Sequence, residues 1–212
     1  MTEQEWLEGA DPAPMLEFLR GKASDRKLRL FAVACCRMIA PQVKAEGFHR
    51  LMDIAEQCAD QRVPLTIIGD AVNLLYQQTH SADEDKERRI YRAAREIASP
   101  VLGVREIVEL MQAIWWFSEQ SGAAIHGFEC SALRDVGGNP FRPATLVSAW
   151  QTATVQAHAQ AIYDARAFDR LPILSDALED AGCDNADILT HCRQLAEHVR
   201  GCFVVDLLLD KR

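Results

Sequence analysis

Ser24-Asp-Arg-Lys-Leu-Arg-Leu-Phe-Ala-Val-Ala-Cys-Cys-Arg-Met-Ile39, closed by Ala40-Pro41, is the stretch whose reading decides the fold. Leu28, Phe31, Ala32, Cys35 and Ile39 recur at helical spacing, so they line one face of an α-helix. Arg26, Arg29 and Arg37 fall elsewhere on its surface. Ser24 supplies an N-cap oxygen, and Pro41 ends the run because its ring and missing N–H break the helical ladder. Outward from this segment the same grammar repeats. Thr2 with Glu5 has capping-box spacing for a short first helix, and Asp11 ahead of Pro12 and Pro14 opens a second that reaches about Gly21. Periodicity predicts further helices over 46–59, 64–78, 82–98, 104–121, 149–167, 171–181 and 186–209. No segment alternates with the period of a strand between hairpin turns. The predicted class is all-α: a multi-helix array forming a single domain over 1–212, with a possible subdivision into 1–121 and 148–212.

Gly122, Gly127, Gly137, Gly138, Pro140 and Pro143 punctuate the chain between those halves and predict a looped joint near residues 122–147, around a short helix at 130–135. Phe141, set between Pro140 and Arg142, is expected to plug this joint into the interior. Arg134 and Arg142 either buttress carbonyls left free at helix ends or offer a guanidinium fork to a partner's carboxylate or phosphate.

At 212 residues the chain can bury a core without a disulfide or a metal staple. Lys and Arg total 23 against 31 Asp and Glu, a formal charge of -8 that repels polyanions and argues against a general nucleic-acid binder. Seven scattered cysteines, odd in number and set in apolar text, suit reduced thiols and a cytoplasmic compartment. The acidic start Met-Thr-Glu-Gln-Glu is unlike a secretion signal. The run from Cys202 to Leu209, interrupted by Asp206, falls short of the ~20 apolar residues that span a membrane, so no membrane partner is expected.

His126-Gly-Phe-Glu-Cys130 and His198-Val-Arg-Gly-Cys202 share the spacing His-x-x-x-Cys, which sets imidazole and thiol one helical turn apart. Together the two pairs would make a Cys2His2 zinc site; a local version uses Cys192, His198 and Cys202 with Cys183 as the fourth donor. Against both, His191, Leu195, His198, Cys202, Val205 and Leu209 form one stripe if the last helix is continuous, a packed core with no metal. Cys130 with His126 and Glu129 or Asp135 has the residue types of a thiol nucleophile, without a defined oxyanion hole. The expectation is therefore no cofactor, with zinc as the alternative. Trp115, Trp116 and Phe117 cannot all face one side of a helix, so they either close interhelix packing or leave an interaction patch.

Glu5-Trp-Leu, the run from Pro14 to Ala32, Cys35-Cys-Arg37, Leu133-Arg-Asp135, Gly138-Asn-Pro-Phe-Arg-Pro143 and Arg166-Ala-Phe-Asp-Arg-Leu-Pro-Ile-Leu174 carry a resemblance. They are similar to text in an uncharacterised family of bacterial paralogues, abundant in planctomycete-type genomes. The resemblance spans the first fifth and the last two fifths of the chain and implies no activity, substrate or cofactor. It associates a Gly/Pro-rich break with the stretch between Cys192 and His198, where this chain has Gln194-Leu-Ala-Glu197. The function expected is a non-enzymatic protein-interaction module. The alternative is a metal- or thiol-dependent enzyme built on Cys130, His198 and Cys202.

Overall fold

A computed structural model of the chain describes residues 1–64, 66–80, 85–99, 102–118 and 121–211. Expected helical positions 65, 82–84 and 119–120 lie outside them. Among the described residues the fold is all-α: twelve α-helices, three single-turn 3-10 segments and no strand.

The chain divides into two compact units, the first comprising Met1 and Ala10–Cys130, the second Thr2–Gly9 and Ser131–Arg212. In the first unit, α2 (Pro12–Leu19) starts where the Asp11 side chain accepts from the Ala13 amide, and α3 (Asp25–Ile39) starts where Ser24 caps the Lys27 amide. The predicted stripe of α3 is buried in full. Its neighbours are α4 (Glu46–Ala59), α6 (Asp85–Ile97) and α7 (Val104–Phe117); α5 (Thr66–His80) lies between α4 and α6 in the chain and packs against both. Arg29 departs from the expectation of a surface arginine. It is buried on α3 and donates to the carbonyls of Ile97 and Ser99, so a charged side chain satisfies the orphan acceptors at the end of α6.

In the second unit α1 (Glu3–Glu8) carries both halves of its capping box, with the Glu5 amide donating to Thr2 at 3.2 Å and the Thr2 amide to Glu5 at 2.7 Å. Four further helices follow: α9 (Ala153–Ala165), α10 (Leu171–Asp180), α11 (Ala186–Arg193) and α12 (Phe203–Leu208). They bury Val155, Ile162, Tyr163, Leu174, Ile188 and Val205 in one core. Helix α8 (Gly122–Gly137) passes from the first unit into the second.

Three expectations need correction. The joint predicted at 122–147 is helical to Gly137, and only the remainder is irregular. Ile125, Cys130, Leu133 and Val136 are buried at helical spacing, and that burial outweighs the ~1 kcal/mol a glycine costs a helix interior. Phe141 is 36% exposed and does not enter the interior. The second unit is anchored there instead by Trp6, fully buried, whose Nε1 donates to the Gly138 carbonyl at 2.9 Å. Finally, the helix expected over 186–209 is broken: α11 stops at Arg193, and the chain resumes a helix only at Phe203.

Candidate functional site

The break between α11 and α12 builds the one cluster of converging metal-type donors among the described residues. Asn185 caps α11 by accepting from the amides of Asp187 and Ile188, which sets His191 and Cys192 facing inward near the helix end. Gln194 then turns to extended backbone, and Leu195 is flung into solvent at 107% exposure, a position no core stripe would tolerate. Gly201, at φ 102°, takes a conformation that L side chains rarely adopt and lets the chain re-enter the unit at Cys202.

That path brings His191, His198 and Cys202 to Asp135 in the last turn of α8, and their ligand atoms all lie within 4.8 Å of one another. Asp135 Oδ1 is 2.6 Å from His198 Nδ1 and 3.0 Å from His191 Nε2, while Oδ2 accepts the Val199 amide at 2.8 Å. His191 Nε2 also stands 3.2 Å from Cys202 Sγ. The two imidazoles meet edge to face with centroids 4.7 Å apart, and Phe203 covers His191 at 4.4 Å.

Electrostatics divides the four residues. Burial works to raise the Asp135 carboxyl, but hydrogen bonding and charge from His191 and His198 outweigh it and hold the group below its ordinary range. Burial, then the Asp135 charge, drives the Cys202 thiol well above its ordinary value, with the Val205 and Val204 amides pulling weakly the other way. Neighbouring Cys192 is pushed up to about 12, again by burial first and Asp135 second. Unassisted, these thiols stay protonated at neutral pH and are poor nucleophiles.

The converging group contains His198 and Cys202 from the predicted set, but not His126, Cys130, Cys183 or Cys192. His126 is exposed on α8, Cys130 is buried on it, and Cys183 and Cys192 are part of the apolar core of the second unit. Asp135 and His191 belong to the site although sequence reasoning left both out of the donor set. Asp135 is 56 or more residues from its partners in the chain. Periodicity sets His191 on a continuous stripe; the signs of a break are the glycine at 201 and the interruption that the family resemblance associates with the stretch between Cys192 and His198.

The predicted interaction residues also separate. Phe117 turns into the core of the first unit, while Trp115 and Trp116 remain 46% and 59% exposed, their rings 5.0 Å apart and the Arg89 guanidinium 5.3 Å above Trp116. Arg134 donates to the carbonyls of Trp6 and Gly9 at the end of α1, and Arg142 pairs with Glu3 at 2.6 Å. Both guanidinium groups are thus engaged within the second unit, Arg134 tying α8 to the end of α1 and Arg142 tying the irregular stretch to its start.

A second buried carboxyl behaves oppositely to Asp135. Glu129 in α8 is 1% exposed, and neither of its oxygens has a hydrogen-bond partner among the described residues. Burial, helped by the Asp11 charge, raises it to about 8. Its folded-state value lies above its unfolded one, so folding takes up a proton, and the group destabilises the protein increasingly as pH rises from about 4.5 toward 8. Urea unfolding of Glu129→Gln should therefore show a stability gain over wild type that is larger at pH 8.5 than at pH 5.5, by roughly 2–3 kcal/mol. A gain of equal size at both pH values would show that Glu129 is not protonated on folding.

Comparison with protein-family models, with curated proteins and with solved structures found no match to this chain. No helix among the described residues is long and apolar enough to cross a membrane.

Proposed function

We propose that this chain is a non-enzymatic helical module that binds another protein, with the indole pair Trp115–Trp116 at the end of α7 as the contact. The observation that carries the reading is the exposure of two adjacent indoles beside a cation, Arg89, while their neighbour Phe117 is buried. Indoles are large apolar surfaces with one polar handle, and tryptophan and arginine are the residue types that dominate binding energy at protein interfaces. The formal charge of -8 favours a protein over a polyanion as the occupant. Within the same proposal the chain works in the cytoplasm, where its seven free cysteines stay reduced, and belongs to the bacterial family its motifs resemble.

Support for the enzymatic alternative is weaker because burial holds the Cys192 and Cys202 thiols protonated. Site-specific photo-crosslinking in the cell tests the interaction reading. A photoreactive phenylalanine analogue at Trp115 or Trp116 should give one discrete protein adduct, and the same group at Ile173, an exposed apolar residue of the second unit, should give none. The absence of an adduct from both tryptophan positions, or an identical ladder from Ile173, would remove the contact.

A further inference from the structure

We infer that Asp135, His191, His198 and Cys202 form a binding site for one zinc-type divalent cation, a closed structural centre in the second unit. The donors are one carboxylate oxygen, two imidazole nitrogens and one sulfur, a set that suits Zn2+ and disfavours Mg2+ and Ca2+, which take oxygen ligands. They come from α8, α11 and the segment leading into α12, so the site is assembled by tertiary structure.

Hydrogen bonding alone leaves this arrangement over-committed. His191 Nε2 carries either one proton or one lone pair, yet it faces Asp135 Oδ1 at 3.0 Å and Cys202 Sγ at 3.2 Å at once. A single proton serves one of those neighbours; a cation at the centre serves all of them. Tetrahedral bonds of about 2.0–2.3 Å place donors about 3.3–3.8 Å apart. The separations here begin at 2.6, 3.0 and 3.2 Å and none exceeds 4.8 Å, so side-chain shifts of about 1 Å or less, the short pairs opening and the wider ones closing, complete the shell.

Charge leads to the same ion. A carboxylate, a thiolate and two neutral imidazoles together balance a dication, so the ligated centre is neutral in a site where an uncompensated charge is costly. Binding forms the Zn–S bond at the expense of the Cys202 S–H bond, and the proton leaves to solvent; the ion supplies what the buried thiol otherwise lacks. The Val199 amide on Asp135 Oδ2 orients the carboxylate from the outer shell and leaves Oδ1 for the metal. Four protein donors leave no open position, which makes the centre structural: it pins the irregular 194–202 stretch to the end of α8.

The test uses the full chain, purified without a histidine tag or chelator. Elemental analysis should find about one zinc per chain, and Co2+ added to the apoprotein should give visible bands of tetrahedral cobalt with a thiolate charge-transfer band. Cys202→Ser should abolish the charge-transfer band and weaken Zn2+ binding by more than the ~10–100-fold that losing an outer-shell partner costs. Cys183→Ser and Cys192→Ser should retain full zinc. Should Cys202→Ser fail to fold, competition between wild-type protein and a chromophoric chelator for Zn2+ still decides the matter. Wild-type protein that takes up no Zn2+ in that titration overturns the site, as does zinc held equally by folded Cys202→Ser.

Discussion

Asp135→Ala is expected to destabilise the protein by about 3–5 kcal/mol in chelator-containing buffer, the cost of removing one partner from a buried charged network. The carboxylate is held by His191, His198 and the Val199 amide, so its loss leaves those groups facing one another without an acceptor. Asp135→Asn should cost less, because an amide oxygen can still accept from Val199. The sign of the pH dependence follows from the lowered carboxyl. Its stabilising contribution is fully present above the unfolded value of about 4 and is lost as pH falls through the folded value. Between pH 5 and 3 wild type should therefore lose stability faster than Asp135→Asn. Urea unfolding across that range measures it, and parallel curves would show that the carboxylate contributes nothing. Repeating the alanine comparison without chelator and with Zn2+ present should enlarge the deficit, since the metal stabilises only the chain that binds it.

Trp6→Ala should cost about 3–5 kcal/mol, the range for truncating a fully buried aromatic. The indole projects from α1 into the second unit's interior and donates to the Gly138 carbonyl at 2.9 Å, while the Trp6 backbone carbonyl accepts from Arg134 at 2.8 Å. Gly138 has no room to adapt. Its φ is +63°, and a Cβ there would stand 3.0 Å from the Phe203 ring. Trp6→Phe separates the two contributions, since it keeps most of the apolar volume and leaves the carbonyl unpaired, at about 1–3 kcal/mol. Thermal unfolding followed by circular dichroism is the measurement. A Trp6→Ala midpoint within a degree or two of wild type would show that α1 is not docked through this residue.

The two predictions mark where local and distant information part. Thr2, Asp11, Ser24 and Asn185 act within three residues of themselves, so the caps that start α1, α2, α3 and α11 depend on chain neighbours alone. The buried stripe of α3 was legible for the same reason: a helix fixes which residues share a face before anything packs against it. Arg29 was not legible, because its acceptors lie 68 and 70 residues away at the end of another helix. Nor was the outcome at Trp115–Phe117, where spacing showed that one side chain had to diverge but not which one.

By itself the sequence determined the all-α class, the capped starts of α1, α2 and α3, the α3 core face and the presence of histidine and cysteine near the C-terminus. Only the tertiary structure decided that the last helix breaks after Arg193 and that Asp135 completes the cluster. Periodicity allowed a continuous stripe through His191, His198 and Cys202, and local propensity at Gln194–Glu197 did not forbid it. The broken path brings two imidazoles and a thiol to a carboxylate more than fifty residues away, a gain that residue-by-residue propensity does not contain.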